Sequence, residues 1–203
     1  MAPSPCFQSN MKSIPVLNTD RLILRPWQAQ DRAPFTAINR DPAVMQFMPA
    51  LLSAEETNAF VDRIELHFNQ HGFGLWAAQL RYTDQFIGYI GLAVPRFQAP
   101  FMPAVEIGWR LASEFWRRGL ATEGARAVID HAFRVLSLPA LVSFTVPANL
   151  PSRRVMEKLG MTHDPADDFD HPLLQEGHAL RRHVLYRLNR PRRESNLPAI
   201  VSV

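Results

Sequence analysis

The stretch Trp116-Arg117-Arg118-Gly119-Leu120-Ala121-Thr122-Glu123 holds the residue types that an anion needs. Gly119 has no Cβ, so a ligand can approach its backbone closely. Ala121 is small enough to serve the same end. Beyond them Ala121, Ala125, Val128, Ile129, Ala132, Phe133 and Leu136 recur at helical spacing, which predicts a helix over 120–136. The first four N–H groups of a helix have no partner within it, and the macrodipole makes that end positive. Arg117 and Arg118 add formal charge beside those groups. The segment therefore fits a pyrophosphate. The plainer alternative is a helix start flanked by solvated arginines. Neither G-x-x-x-x-G-K-[ST] nor G-x-G-x-x-G is present, so it is not a triphosphate loop or a dinucleotide fingerprint.

A second segment, Asn149 to Met161, follows the next strand. A helix is expected over 152–159, closed by Gly160. Asn149 and Ser152 have short polar side chains suited to capping it, and equally to bonding a ligand. The strand–helix–strand–helix order brings the N-termini of both helices to one edge of a sheet.

The elements that must position these segments can be laid out from periodicity and breakers. Strands are expected at 21–25, 75–80, 86–93, 105–111, 141–146 and 183–188. Helices are expected over 28–39 and from Ser53, where Glu56 completes a capping box ahead of an apolar face of Ala59, Phe60, Ile64 and Phe68. The order β-α-α-β-β-β-α-β-α-β is an α/β (α+β) arrangement. It forms one domain, 16–190, between tails at 1–15 and 191–203. Met11 is a candidate true start.

Composition bounds the partners. The 203 residues are 47% hydrophobic and 20% charged, with a net charge of +3, which suits a globular protein without a membrane span. No apolar run reaches the roughly 18 residues of a spanning helix, and the first residues lack the pattern of a secretory signal. The one cysteine, Cys6, cannot staple the fold. The expected compartment is the cytoplasm. Arginine pairs at 117–118, 153–154 and 181–182 could serve a nucleic acid, but no binding motif accompanies them. His171, His178 and His183 lack metal-ligand spacing, so no metal is expected.

Three stretches in register carry a resemblance. Thr19-Asp20-Arg21-Leu22-Ile23-Leu24-Arg25, then Glu106-Ile107-Gly108-Trp109 through Thr122-Glu123, then Asn149 to Met161 with its Lys158-Leu159-Gly160, resemble the GNAT superfamily of N-acetyltransferases, in its RimJ/RimL-like branch. The resemblance spans residues 19 to about 189. It implies a mixed sheet splayed between its fourth and fifth strands, here 105–111 and 141–146. It implies acetyl-coenzyme A as cosubstrate, lying in that opening. The pantetheine arm would pair with backbone near Trp109 and Leu111, and the pyrophosphate would sit on the amides of Arg117, Arg118, Gly119, Leu120, Ala121 and Thr122. Asn149 joins this set. The family places Gln or Arg three residues before the glycine; this chain has Trp116.

The same resemblance assigns chemistry. Glu106 matches the strand glutamate and is the candidate base for the acceptor ammonium. Holding amine and thioester in line supplies much of the rate, and a backbone N–H of the splayed strand would stabilise the oxyanion. The usual tyrosine of the second motif is here Met156, so Ser152 is the candidate donor to the leaving thiolate, with Tyr186 behind it. The acceptor, a small-molecule amine or a protein N-terminus, would contact loops at 40–52 and 163–181. Phe169, Asp170, His171 and Pro172 would shape its end, and Asp164, Asp167, Asp168 and Asp170 could steer a cation. A homodimer is left open. The rival readings are a catalytically silent coenzyme A-binding module and a basic nucleic-acid-binding protein.

Overall fold

The computed structural model describes residues 14–191. The tails expected at 1–15 and 191–203 lie outside that range, apart from Ile14, Pro15 and Pro191. Ile14 packs on the core, and the Pro15 carbonyl accepts from Trp76 Nε1 at 2.8 Å.

The elements run β1 (Leu17–Asn18), β2 (Leu22–Arg25), a 3-10 turn (Ala29–Asp31), α1 (Arg32–Arg40), α2 (Ala54–His71), β3 (Leu75–Leu80), β4 (Phe86–Ala93), β5 (Glu106–Leu111), α3 (Leu120–Arg134), β6 (Ala140–Thr145), α4 (Leu150–Lys158), β7 (Thr162–His163), β8 (Phe169–Asp170) and β9 (Arg182–Asn189). Every expected strand and helix is present. The segment expected as one helix over 28–39 is a turn followed by α1. Asp31 sets that break: it takes a two-pronged pair from Arg25, at 2.7 and 2.8 Å, and the backbone N–H of Gln28. Both partners of the pair are buried. Ser53 and Glu56 form the expected capping box of α2.

The strands form one sheet in the order β1-β2-β3-β4-β5-β6-β9-β7, with β8 on β9. All neighbours are antiparallel except β5 and β6. That parallel contact has a single register pair, Glu106 with Val142, and the Val142 N–H donates to the Val105 carbonyl at 2.9 Å. Past this point the two strands part. One arm of the sheet ends at β5 and the other begins at β6, which pairs with β9 over its whole length. This is the splayed, mixed sheet of the expected α+β class.

Side chains alternate across the sheet, so each arm has two distinct faces. On β4, Tyr89 meets Phe35 of α1 and Phe60 of α2, with ring centroids 5.9 and 6.0 Å away. Ile90 faces the other way, against α3 at Gly124. By register, Glu106, Gly108 and Arg110 share the Tyr89 face, and Ile107, Trp109 and Leu111 share the α3 face. Gly91 and Gly108 are paired on the Tyr89 face and leave a floor without side chains. Gly91 is required for packing: a Cβ there would lie 2.2 Å from the Gly74 carbonyl oxygen. The core fills the space between layers with Leu22, Leu24, Trp76, Ile87, Ile90, Leu92 and Ile107. Truncating one of these to alanine costs about 2–5 kcal/mol.

His67 of α2 ties the layers together. Its Nε2 accepts from the Val94 N–H at 3.0 Å, and its Nδ1 lies 2.8 Å from the Phe73 carbonyl. An imidazole that accepts at Nε2 and donates at Nδ1 is neutral, so the tautomer is set by its neighbours.

Candidate active site

Two helix N-termini flank the opening between β5 and β6, and their backbones differ. At α3, Gly119 is the N-cap and offers no side chain. Among the described residues, no acceptor meets the N–H groups of Gly119, Leu120, Ala121 and Thr122. Gly119 has φ +79°, and Arg117 has φ +60°, a region that non-glycine residues enter at some cost. A Cβ built on Gly119 would meet only Arg21 Nη2, at 3.5 Å, so the glycine serves conformation and approach more than internal packing. The turn is braced from behind. Glu123 accepts from Thr19 Oγ1 (2.6 Å), Arg21 N (2.8 Å) and Arg21 Nε (2.6 Å), while Arg21 Nη1 donates to the Arg118 carbonyl (2.9 Å). These donors hold the Glu123 carboxyl below its ordinary value against the opposing pull of burial. Arg117 and Arg118 are exposed, and Arg118 lies over the Phe115 ring at 5.4 Å. A groove of about 560 Å³ runs from Gly119 and Thr122 past Arg21, Arg126 and Lys158.

At α4 the first turn is closed. Leu150 N donates to the Ala148 carbonyl (2.8 Å), Pro151 has no N–H, Ser152 N donates to Asn149 Oδ1 (3.3 Å) and Arg153 N to the Asn149 carbonyl (3.2 Å). Asn149 Nδ2 donates to Thr145 Oγ1 at 3.0 Å. Asn149 is thus the N-cap with both ends of its amide engaged. The helix starts at Leu150, two residues earlier than expected, because the cap is Asn149 and not Ser152. The Ser152 hydroxyl makes no hydrogen bond among the described residues and is half-buried, one turn before the buried Met156.

Between these ends lies the exposed edge of β5. The Val105 carbonyl points to β6, so by alternation the N–H and C=O of Trp109 and the N–H of Leu111 point into the opening. The Leu111 carbonyl is taken by Trp116 Nε1 at 2.8 Å. Trp116 therefore has a role that its position three residues before the glycine did not suggest: it fastens the anion loop to the end of the strand.

Glu106 sits where the strands part, on the face away from α3. Its carboxyl has no hydrogen-bond partner and no ion pair among the described residues. Burial pushes it up to about 8. Arg110, on the same face, donates to Asn39 Oδ1 (2.7 Å) and Met48 Sδ (3.3 Å) and lies over Phe60 and Tyr89. Its Nε is buried without a partner. Across the opening, Tyr186 lies under α4, accepting from Arg153 Nε (3.2 Å) and donating to Glu157 Oε1 (3.1 Å). Its hydroxyl is committed, unlike that of Ser152. No group of acidic, histidine or cysteine residues able to hold a metal occurs among the described residues. No helix among them is long and apolar enough to cross a membrane.

Residues 21–162 match the family model described as the acetyltransferase (GNAT) domain. The chain belongs to the GNAT acetyltransferase family. It is 34% identical over 146 residues to the uncharacterised protein YkkB of Bacillus subtilis, covering 71% of this chain and 84% of that one. It is 32% identical over 164 residues to the FsC-acetyl coenzyme A-N(2)-transacetylase of Aspergillus fumigatus, covering 75% and 67%. Among solved structures, an acetyltransferase of Agrobacterium tumefaciens superposes with a TM-score of 0.71 at 30% identity, covering 88% of this chain and 96% of that one. RimJ of Mycobacterium smegmatis, in complex with a coenzyme A disulfide, shares the fold with a TM-score of 0.67 at 19% identity, covering 88% of each chain. As a GNAT domain the protein is an acetyl-coenzyme A-dependent N-acetyltransferase with RimJ/RimL-like neighbours.

The open amides of α3 and the outward groups of Trp109 and Leu111 fit that cosubstrate. Arg110 had no sequence signal apart from its place four residues after Glu106. The aspartates of 163–181 have partners in their own segment and on β9. Asp164 Oδ1 accepts from Ala166 N, Asp167 pairs with Arg187, Asp168 with His163 Nε2 at 2.7 Å, and Asp170 lies 3.5 Å from both Arg181 and Arg182.

Proposed function

We propose that this GNAT enzyme acetylates a primary amine, of a small molecule or a protein N-terminus, by direct attack in a ternary complex. The backbone of Trp109 and Leu111 and the amides from Arg117 to Thr122 hold the coenzyme, which supplies the acetyl thioester. Asn149 holds the end of α4 at the same opening. Glu106 takes a proton from the acceptor ammonium, leaving the neutral amine to attack. The Ser152 hydroxyl donates a hydrogen bond to the departing sulfur.

The observation that carries this reading is the partnerless carboxyl of Glu106 at the fork of the sheet. Raised to about 8 by burial, it matches the proton affinity of an amine better than an ordinary carboxylate does. The base form exists above that value, so kcat/KM should rise with pH through about 8. Steady-state kinetics with both substrates varied, across pH, test the proposal. Intersecting patterns are expected, with a rising limb near 8 that Glu106→Gln moves up to the pKa of the acceptor amine. Parallel patterns, or a limb that stays near 8 in Glu106→Gln, would refute the direct route through Glu106.

A further inference from the structure

We infer that the acceptor is a small monoamine with an aromatic or similarly bulky apolar body, an inference that rests on the acetyl-transfer reading and narrows its substrate. The argument begins at Val142, the register partner of Glu106 and on the same face. Val142 belongs to an apolar cluster with Phe169 and Leu185, against which Phe97, Phe101 and Phe144 pack half-buried. Phe97 stacks near Phe169 at 6.1 Å, Phe101 lies 4.9 Å from Phe169, and Phe144 lies 5.7 Å from Phe97. His171 and His183 complete the wall, with rings 5.1 Å apart. The wall thus starts beside the carboxyl that receives the amine. On the same face Gly108 leaves room beside the carboxyl, since a Cβ there would meet only Glu106 Oε1, at 3.7 Å.

The charges in this region disfavour a second cation. The four aspartates of 163–181 are engaged with Ala166, Arg187, His163, Arg181 and Arg182. Burial lowers the affinity of His171 and His183 for protons, and each sits beside the other. Arg110 places a guanidinium on the Glu106 face. A diamine would bring one ammonium to Glu106 and find Asp167, Asp168 and Asp170 already paired with Arg187, His163, Arg181 and Arg182. Size is limited as well. Phe97, from the β4–β5 loop, lies 4.6 Å from His171 of the loop before β9. The two loops meet over the aromatic wall, where an extended peptide would need an open-ended groove.

The experiment uses the full chain with phenethylamine, butylamine, putrescine and a free-N-terminus tetrapeptide. Turnover is read by coenzyme A release, and binding by the shift in Tm of the coenzyme A complex. Phenethylamine should exceed putrescine and the peptide by at least about tenfold in kcat/KM, the scale of discrimination that an apolar pocket provides. Phe97→Ala, in a loop, should lower kcat/KM for phenethylamine far more than for butylamine while leaving the Kd for acetyl-coenzyme A unchanged. Putrescine or the peptide matching phenethylamine overturns the inference. So does a Phe97→Ala enzyme with unaltered selectivity, or a complex that phenethylamine does not stabilise. If phenethylamine stabilises the complex, and Phe97→Ala removes that shift, the inference stands even where no amine turns over; that result sinks the acetyl-transfer chemistry instead.

Discussion

The N-termini of α3 and α4 face the same opening, yet one is open and the other shut. Both follow a strand, and both carry arginines close by. At α3 a glycine takes the capping position and four amides are left without acceptors. At α4 an asparagine, a proline and two backbone carbonyls satisfy every amide of the first turn. A protein folding for stability alone would cap both, since a side-chain cap is worth about 0.5–2 kcal/mol. Leaving one end bare, with Arg117 in a left-handed conformation beside it, is what the proposed coenzyme site requires. The closed end frees the Ser152 side chain from capping.

The comparison can be broken at several points. The largest effect should come from a residue belonging to neither end. Glu106→Gln should lower kcat/KM by on the order of 10²-fold, with the loss shrinking at high pH and acetyl-coenzyme A affinity unaltered. Loss of coenzyme affinity in that variant would mean Glu106 organises the binding edge and not the proton transfer. The same group gives a stability test. Its folded pKa lies above the ordinary 4.5, so this group's contribution to stability falls as pH rises from that value through about 8. Glu106→Gln should flatten that slope in urea titrations, and an unchanged slope would contradict the burial assigned here.

Next comes Gly119→Val at the open end. The φ of +79° is unfavourable for valine, and its side chain would stand where an anion approaches. Coenzyme A affinity should fall roughly tenfold or more, with a stability cost of about 1–2 kcal/mol. Calorimetry showing native affinity would reduce the loop to a helix start. At the closed end a pair of variants divides two roles. Asn149→Ala should lose about 0.5–2 kcal/mol of stability, whereas Ser152→Ala should melt near wild type but turn over more slowly with little change in Kd. The reverse outcome would move the cap to Ser152 and leave the departing thiolate without an assigned donor. The smallest signal is thermal. Acetyl-coenzyme A should raise Tm by mass action, and dephosphorylated pantetheine should raise it less; equal shifts would show that the open amides do not hold the pyrophosphate.

Much of this arrangement was legible in the sequence. The stripe from Ala121 to Phe133 and the glycine before it located the open end. The runs 86–93 and 105–111 located the strands that frame it. The closed end was only half legible, since Asn149 and Ser152 are equally good caps by residue type and only the backbone of Pro151 and Arg153 decides between them. β1, β7 and β8 are two residues long, too short for any alternation to show. The aromatic wall was invisible for a different reason. Its members come from positions 97, 101, 144, 169, 171 and 183, and only sheet register brings them together. Nor could composition show that Asp167, Asp168 and Asp170 pair with Arg187, His163, Arg181 and Arg182.

The His67 bridge has a consequence for how the enzyme meets acid. Its imidazole can accept the Val94 N–H only while unprotonated, and burial already holds its pKa below the ordinary 6.5. Its stabilising effect is therefore complete above about that value and is lost as pH falls through the lower folded one. Val94 is the first residue after β4 and begins the loop that carries Phe97 and Phe101. Mild acidification should loosen that hinge before the rest of the fold gives way, so hydrogen exchange at Val94 should quicken ahead of exchange in the β3–β4 ladder.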